Sequence, residues 1–178
     1  VSGLALLVGL AVARELATPD HEDTQYLMYE IQQRLEIPRW REVGLWLAHN
    51  TPPDASVACV PIGAVGYYSG RVIRDMVGLT DRHIAAQPSD PRLLLVGHRK
   101  HDGPYVLSLK PTLLLLGNVR VRKQPLALTD PDFGRPKAPA IRLREADMFG
   151  PELAKNYEPR IAVLQSGEFL HYYARIGP

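Results

Sequence analysis

Between Ser56 and Ala85 the chain reads SVACVPIGAVGYYSGRVIRDMVGLTDRHIA, and no other stretch restricts the fold as strongly. Ser56 to Pro61 is a short, nearly continuous apolar run after a proline turn, the pattern of a strand buried on both faces. Gly63, Gly66 and Gly70 then space out a turn or short helix that carries Tyr67 and Tyr68. Arg71 to Asp75 reads as a second strand that ends on an acid. A strand–crossover–strand unit this short needs a compact connection, and the glycines permit one.

The chain downstream completes a small domain. Asp90 and Pro91 open a segment in which Leu93 to Val96 is apolar and Gly97 to Gly103 is a polar loop. Tyr105 to Lys110 has the length of a brief helix, and Thr112 to Leu116 reads as a third buried strand closed by Gly117 and Asn118. Arg120 to Pro139 is rich in proline and charge and reads as a long loop. A short helix is expected between Arg142 and Pro159. The end, RIAVLQSGEFLHYYARI, alternates as two strands joined near Gln165 to Glu168, a hairpin. Parallel strands with helical connections and a carboxy-terminal hairpin define an α/β fold with a small mixed sheet. The expected α/β domain spans residues 55–178.

Upstream, residues 18–54 read as a helical approach. One helix is expected from about Gln25 to Leu35, closed by Pro38, and a second, amphipathic one from Arg39 to Asn50. Residues 1–17 are a different matter, because Val1 to Ala13 is apolar and uncharged. A helix of that length rises about 20 Å, short of a bilayer core of roughly 30 Å. Either a signal-peptide remnant or the final turns of a transmembrane helix fits, and the second is the expectation, with Arg14 and Glu15 marking its exit into water.

With 178 residues the chain is long enough for one domain with a core and an appendage. Its net charge of +2 is too small to imply a polyanion partner, and no nucleic-acid partner is expected. The single cysteine, Cys59, lies inside an apolar run, where a thiol is packing material and not a nucleophile. The glycine spacing departs from the G-x-G-x-x-G fingerprint, and Asp75 comes too soon to hold a ribose, which argues against a nucleotide site. His98 and His101 in GHRKHDG are the closest histidine pair, but Arg99 and Lys100 between them oppose a cation, so neither metal nor cofactor is expected. Asp75 and Asp81 can serve acid–base chemistry or hold sugar hydroxyls. They can equally be structural: Asp81 capping the turn that begins Arg82-His83-Ile84-Ala85, and Asp75 pairing with Arg74 or Arg82. Tyr67 and Tyr68, taken as lying at the strand's carboxyl end, can stack on a sugar ring or pack on the long loop.

The ordered set IGAVGYYSG, RDMVGLTDRHIA and VGHRKHDGPYVLSLKPTLLLL resembles the soluble carboxy-terminal domain of bacterial polytopic membrane glycosyltransferases of the GT-C type. The terminal arabinofuranosyltransferases of actinobacterial cell walls and mannosyltransferase-like proteins are the similar groups. The matching positions are Gly63, Tyr67, Tyr68, Ser69, Gly70, Asp75, Gly78, Leu79, Asp81, Ile84, Ala85, Gly97, His98 and Lys100. The resemblance implies a domain on the outer face of the cytoplasmic membrane, a lipid-linked sugar donor of the polyprenyl-phosphate kind, and a glycan acceptor. It implies no catalytic residue in this stretch, because the catalytic acid of such enzymes lies between membrane helices. Tyr67, Tyr68, Asp75, Asp81 and His98 are the residues expected to face the acceptor, with Asp75 dispensable for folding. The alternative is a non-catalytic module that binds glycan or protein in some other membrane protein.

Overall fold

A computed structural model describes residues 21–93, 98–135 and 144–177. The chain divides into two compact units, Val1–Pro38 and Arg39–Pro178. Among the described residues no helix is long and apolar enough to cross a membrane. The segment expected to end a transmembrane helix, residues 1–17, lies outside them.

Helix α1 (His21–Asn50) contains Pro38, where a break was expected. A proline inside a helix removes one hydrogen bond and crowds the carbonyl four residues earlier, at a cost of about 3 kcal/mol. Beyond it, helical geometry is fixed by tertiary packing, because Trp40, Val43 and Leu47 recur at helical spacing and are all buried.

The sheet unit is α/β, with six strands in a mixed sheet. Strand β1 (Ser56–Cys59) leads through α2 (Ile62–Ser69) to β2 (Val72–Asp75), which lies parallel to β1 with Cys59 opposite Asp75. The chain then crosses through α3 (Arg82–Ala85) and α4 (Gly103–Ser108) to β3 (Leu113–Leu114), parallel to the other edge of β1. A tight turn leads into β4 (Val121–Arg122), and a 3-10 turn (Ala146–Met148) and α5 (Pro151–Asn156) precede the hairpin of β5 (Tyr157–Val163) and β6 (Phe169–Arg175). Strand β6 is antiparallel to β3, β4 and β5. The long loop expected from Arg120 thus contributes a short strand, because Val121 and Arg122 find hydrogen-bonding partners on β6 at Leu170 and Phe169.

Period-two burial explains the two cores. Val57 and Cys59 of β1 join Leu113, Leu115 and the buried side of α1 in one, whereas Ala58 and Val60 join Leu114, Leu116, Ile84, Val106 and Met148 in the other. The first core is closed by close approaches. A Cβ on Gly44 of α1 would sit 2.7 Å from the Tyr68 Cβ, so α1 and α2 touch through a glycine. Arg71 donates to the carbonyls of Ala48, Thr51 and Ser69 and to the Thr51 hydroxyl, which ties the end of α1 to the start of β2. Arg39 makes a two-pronged pair with Glu168 at 3.0 and 3.1 Å, docking α1 on the hairpin. In the hairpin, buried His171 accepts from the Leu126 N–H through Nε2 and bonds the Phe169 carbonyl through Nδ1, and burial lowers its pKa.

Candidate functional site

Asp75 closes β2 with its carboxylate turned into the following loop. Oδ1 accepts from the N–H groups of Val77 and Gly78 at 2.8 and 3.1 Å, and Oδ2 from the Thr80 N–H and hydroxyl at 2.5 and 3.2 Å. The side chain is buried and its acceptor capacity is taken up by its own loop. Gly78 completes the device at φ +80°, with the Ala85 backbone nitrogen 2.7 Å from where a Cβ would stand. No other residue fits both conditions. Asp81 then caps α3 by accepting from the Ile84 N–H at 3.0 Å, and its second oxygen accepts from the Tyr105 hydroxyl at 3.1 Å. Lys100 donates to the Ala85 carbonyl and pins the returning segment to α3. Asp75, Gly78, Asp81, Ile84 and Lys100 are therefore one scaffold that shapes the loop between β2 and α3.

Of the five residues expected at an acceptor site, Asp75 and Asp81 share one loop, whereas Tyr67 and Tyr68 belong to α2. Helix α2 runs back along the sheet, so Tyr67 and Tyr68 near its end lie at the amino ends of the parallel strands, opposite Asp75. Tyr67 is 83 % exposed. Tyr68 stands edge-on to it at 5.1 Å, under the Arg41 guanidinium. The expectation of tyrosines at the strand's carboxyl end fails for a simple reason: eight helical residues span about 12 Å, enough to carry them to the other edge. His98 is half-buried in the segment leading to α4. The glycines do not form a phosphate cradle either. Gly66 packs against Ile73, and Gly70 ends α2 in the left-handed conformation.

The carboxyl edge of the parallel strands carries a different constellation. His83 stacks on Tyr105 with ring centroids 3.9 Å apart and bonds Asp102 through Nε2 at 2.7 Å. Asp102 also caps α4 by accepting from the Tyr105 N–H at 3.0 Å. Burial, then the Asp81 carboxylate, raise the pKa of the Tyr105 hydroxyl. One residue before Asp102, His101 bonds Asp147 through Nδ1 at 3.2 Å, with Asp90 3.8 Å from its Nε2. The hydrogen bond to Asp147 outweighs burial and raises the His101 pKa. At Asp147 burial works the other way, but the bonds from His101 and the Gly103 N–H lower its pKa.

A histidine whose folded pKa exceeds its unfolded value of 6.5 stabilises the fold fully below that value, and loses the contribution as pH rises through the folded pKa. His101→Gln is therefore expected to lower stability by about 0.5–1.5 kcal/mol at pH 6 and by less at pH 9, read from urea midpoints. An equal loss at both values would mean that the imidazolium–carboxylate pair contributes nothing.

Beneath this rim lies a buried pair. Glu145 and Arg144 meet at 3.4 Å, with side chains 1 % and 4 % exposed. Glu145 Oε2 accepts from the Gly117 N–H at 2.7 Å. Burial raises the Glu145 pKa against the pull of Arg144, and lowers that of Arg144.

The Cys59 thiol is buried, with its pKa raised by burial and by the nearby Asp75 charge, so it is no nucleophile. Among the described residues no group of three or more histidine, cysteine and acidic side chains could hold a metal ion. The edge offers instead a histidine–tyrosine stack between two carboxylates. Sequence reasoning missed His83, Asp102, Tyr105 and Asp147. The run Asp102-Gly103-Pro104 carried a readable helix-start signal, but nothing local pointed to Asp147, 46 residues from His101.

Fold and edge define a small α/β domain with a polar, partly aromatic rim at the carboxyl ends of its parallel strands. A family model described as a domain of unknown function (DUF8728) matches residues 25–175, and the chain belongs to that family. No curated protein and no solved structure matches it.

Proposed function

We propose that this domain is the soluble extracytoplasmic carboxy-terminal part of a membrane glycosyltransferase, contacting the glycan acceptor while catalysis resides in the membrane part. In this reading the complete enzyme takes sugar from a lipid-linked donor and builds a cell-envelope glycan. The ordered resemblance from Gly63 to Lys100 supports the family assignment. The observation that carries the binding role is the His83–Tyr105 stack flanked by Asp81 and Asp102. A sugar presents hydroxyl donors at its edge and an apolar face, and this rim offers carboxylate acceptors beside a flat ring pair.

In this reading the acceptor contacts the rim, Asp81 included, and not Tyr67, Tyr68, Asp75 or His98. Titration of the 178-residue chain with arabinose and mannose oligomers, followed by NMR, is expected to shift resonances of His83, Asp102 and Tyr105. His83 is exposed, so His83→Ala should leave the fold intact and weaken binding about tenfold, the factor for one lost stacking and hydrogen-bonding partner. Shifts centred on Tyr67 and Tyr68 would return the site to α2, and no shifts in a folded chain would refute an acceptor role for the isolated domain.

A further inference from the structure

A cavity of about 560 Å³ opens between α4, α5 and the end of β6, and neither His83 nor Tyr105 lines it. That volume lies in the range of sites that take a small molecule, roughly 300–1,000 Å³. Its apolar lining comes from Leu107, Met148, Tyr157 and Ile176. Met148 and Tyr157 are buried, and the Tyr157 hydroxyl donates to the Pro111 carbonyl at 3.0 Å, so the ring is what Tyr157 offers a guest.

The charged lining is two acids and two bases, and among the described residues only the acid side chains have hydrogen-bond partners. Asp147 already accepts from His101 and the Gly103 N–H, and Glu152 from the Asn156 side chain at 2.9 Å. Lys110 and Arg175 line the same cavity, and neither side chain has a hydrogen-bond or ion-pair partner among the described residues. Lys110 also holds φ at +49°, a left-handed conformation that costs a lysine energy, directly after the end of α4. Open donors on a partly apolar wall call for a ligand that brings acceptors alone at one end and hydrocarbon at the other.

We propose that this cavity binds a small molecule with an apolar body and a carboxylate or phosphate head, the head held by Lys110 and Arg175. The site shares Asp147 with the rim but is not lined by His83 or Tyr105, and it does not depend on the glycosyltransferase reading. Calorimetry and NMR on the 178-residue chain would use phenyl phosphate, octanoate and inorganic phosphate as probes. Binding of phenyl phosphate or octanoate is expected, with shifts at Leu107, Met148 and Ile176 and none at His83; the better of the two identifies the head group. Lys110 is exposed, so Lys110→Ala should fold normally and weaken binding about tenfold or more, with Arg175→Gln doing the same. Inorganic phosphate binding as tightly as phenyl phosphate would overturn the apolar part of the site. Unchanged affinity in folded Lys110→Ala, or no binding of either organic probe, would overturn the proposal.

Discussion

Glu145→Ala is expected to destabilise the protein by about 3–5 kcal/mol, the range for removing one partner of a buried ion pair. The loss has two parts. Arg144, almost wholly enclosed, would keep its charge without the carboxylate that faces it at 3.4 Å. The turn from β3 to β4 would also lose its anchor. Gly117, Asn118 and Val119 all have positive φ, at 67°, 61° and 63°, and such a conformation in a β-branched valine is held only by its surroundings. The backbone N–H groups of Gly117 and Asn118 both bond the Glu145 carboxylate, the Gly117 nitrogen at 2.7 Å. With folded proteins stable by about 5–15 kcal/mol, the variant should unfold at a much lower urea concentration. Replacing both residues by methionine should cost less than Glu145→Ala alone, because no charge is then stranded. A loss below about 1 kcal/mol for Glu145→Ala would show that the turn holds itself.

Asp75→Ala should cost about 2–4 kcal/mol, since three backbone N–H groups and a hydroxyl lose their acceptor. The sequence leads one to expect that Asp75 faces an acceptor and is dispensable for folding, and its contacts favour an anchoring role instead. Its oxygens are engaged by Val77, Gly78 and Thr80, and the side chain is 3 % exposed. Thermal unfolding decides between the two roles. A drop in Tm of many degrees identifies the loop anchor, whereas an unchanged Tm with weakened sugar binding would restore the binding role. His83→Ala is the matching control, since its side chain projects from the rim and its loss should leave Tm close to that of the parent.

The positions that carry the glycosyltransferase resemblance gain a physical meaning from these contacts. Asp75, Gly78 and Asp81 stand at spacings that a tight strand-to-helix loop requires: an acceptor for the loop's N–H groups, a residue free to take positive φ, and a cap for the next helix. They preserve the shape of the carboxyl edge. His83 and Asp102, the residues of the proposed glycan rim, sit upon that shape.

Local chemistry by itself determined the α/β class, the doubly buried β1, the second strand ending at Asp75 and the carboxy-terminal hairpin, and it offered the cap at Asp81 as one of two readings. Apolar runs, two-residue alternation, proline turns and a helix cap are all readable within a few residues. Tertiary structure alone decided the rest. Helix α1 passes Pro38 because burial of Trp40, Val43 and Leu47 fixes the turns beyond the proline, and β4 exists because β6 supplies its partners. The rim joins His101 to Asp147, and the cavity joins Lys110 to Arg175, across 46 and 65 positions of chain. Such meetings are set by the crossover directions and strand order of the folded sheet, and no local pattern records them.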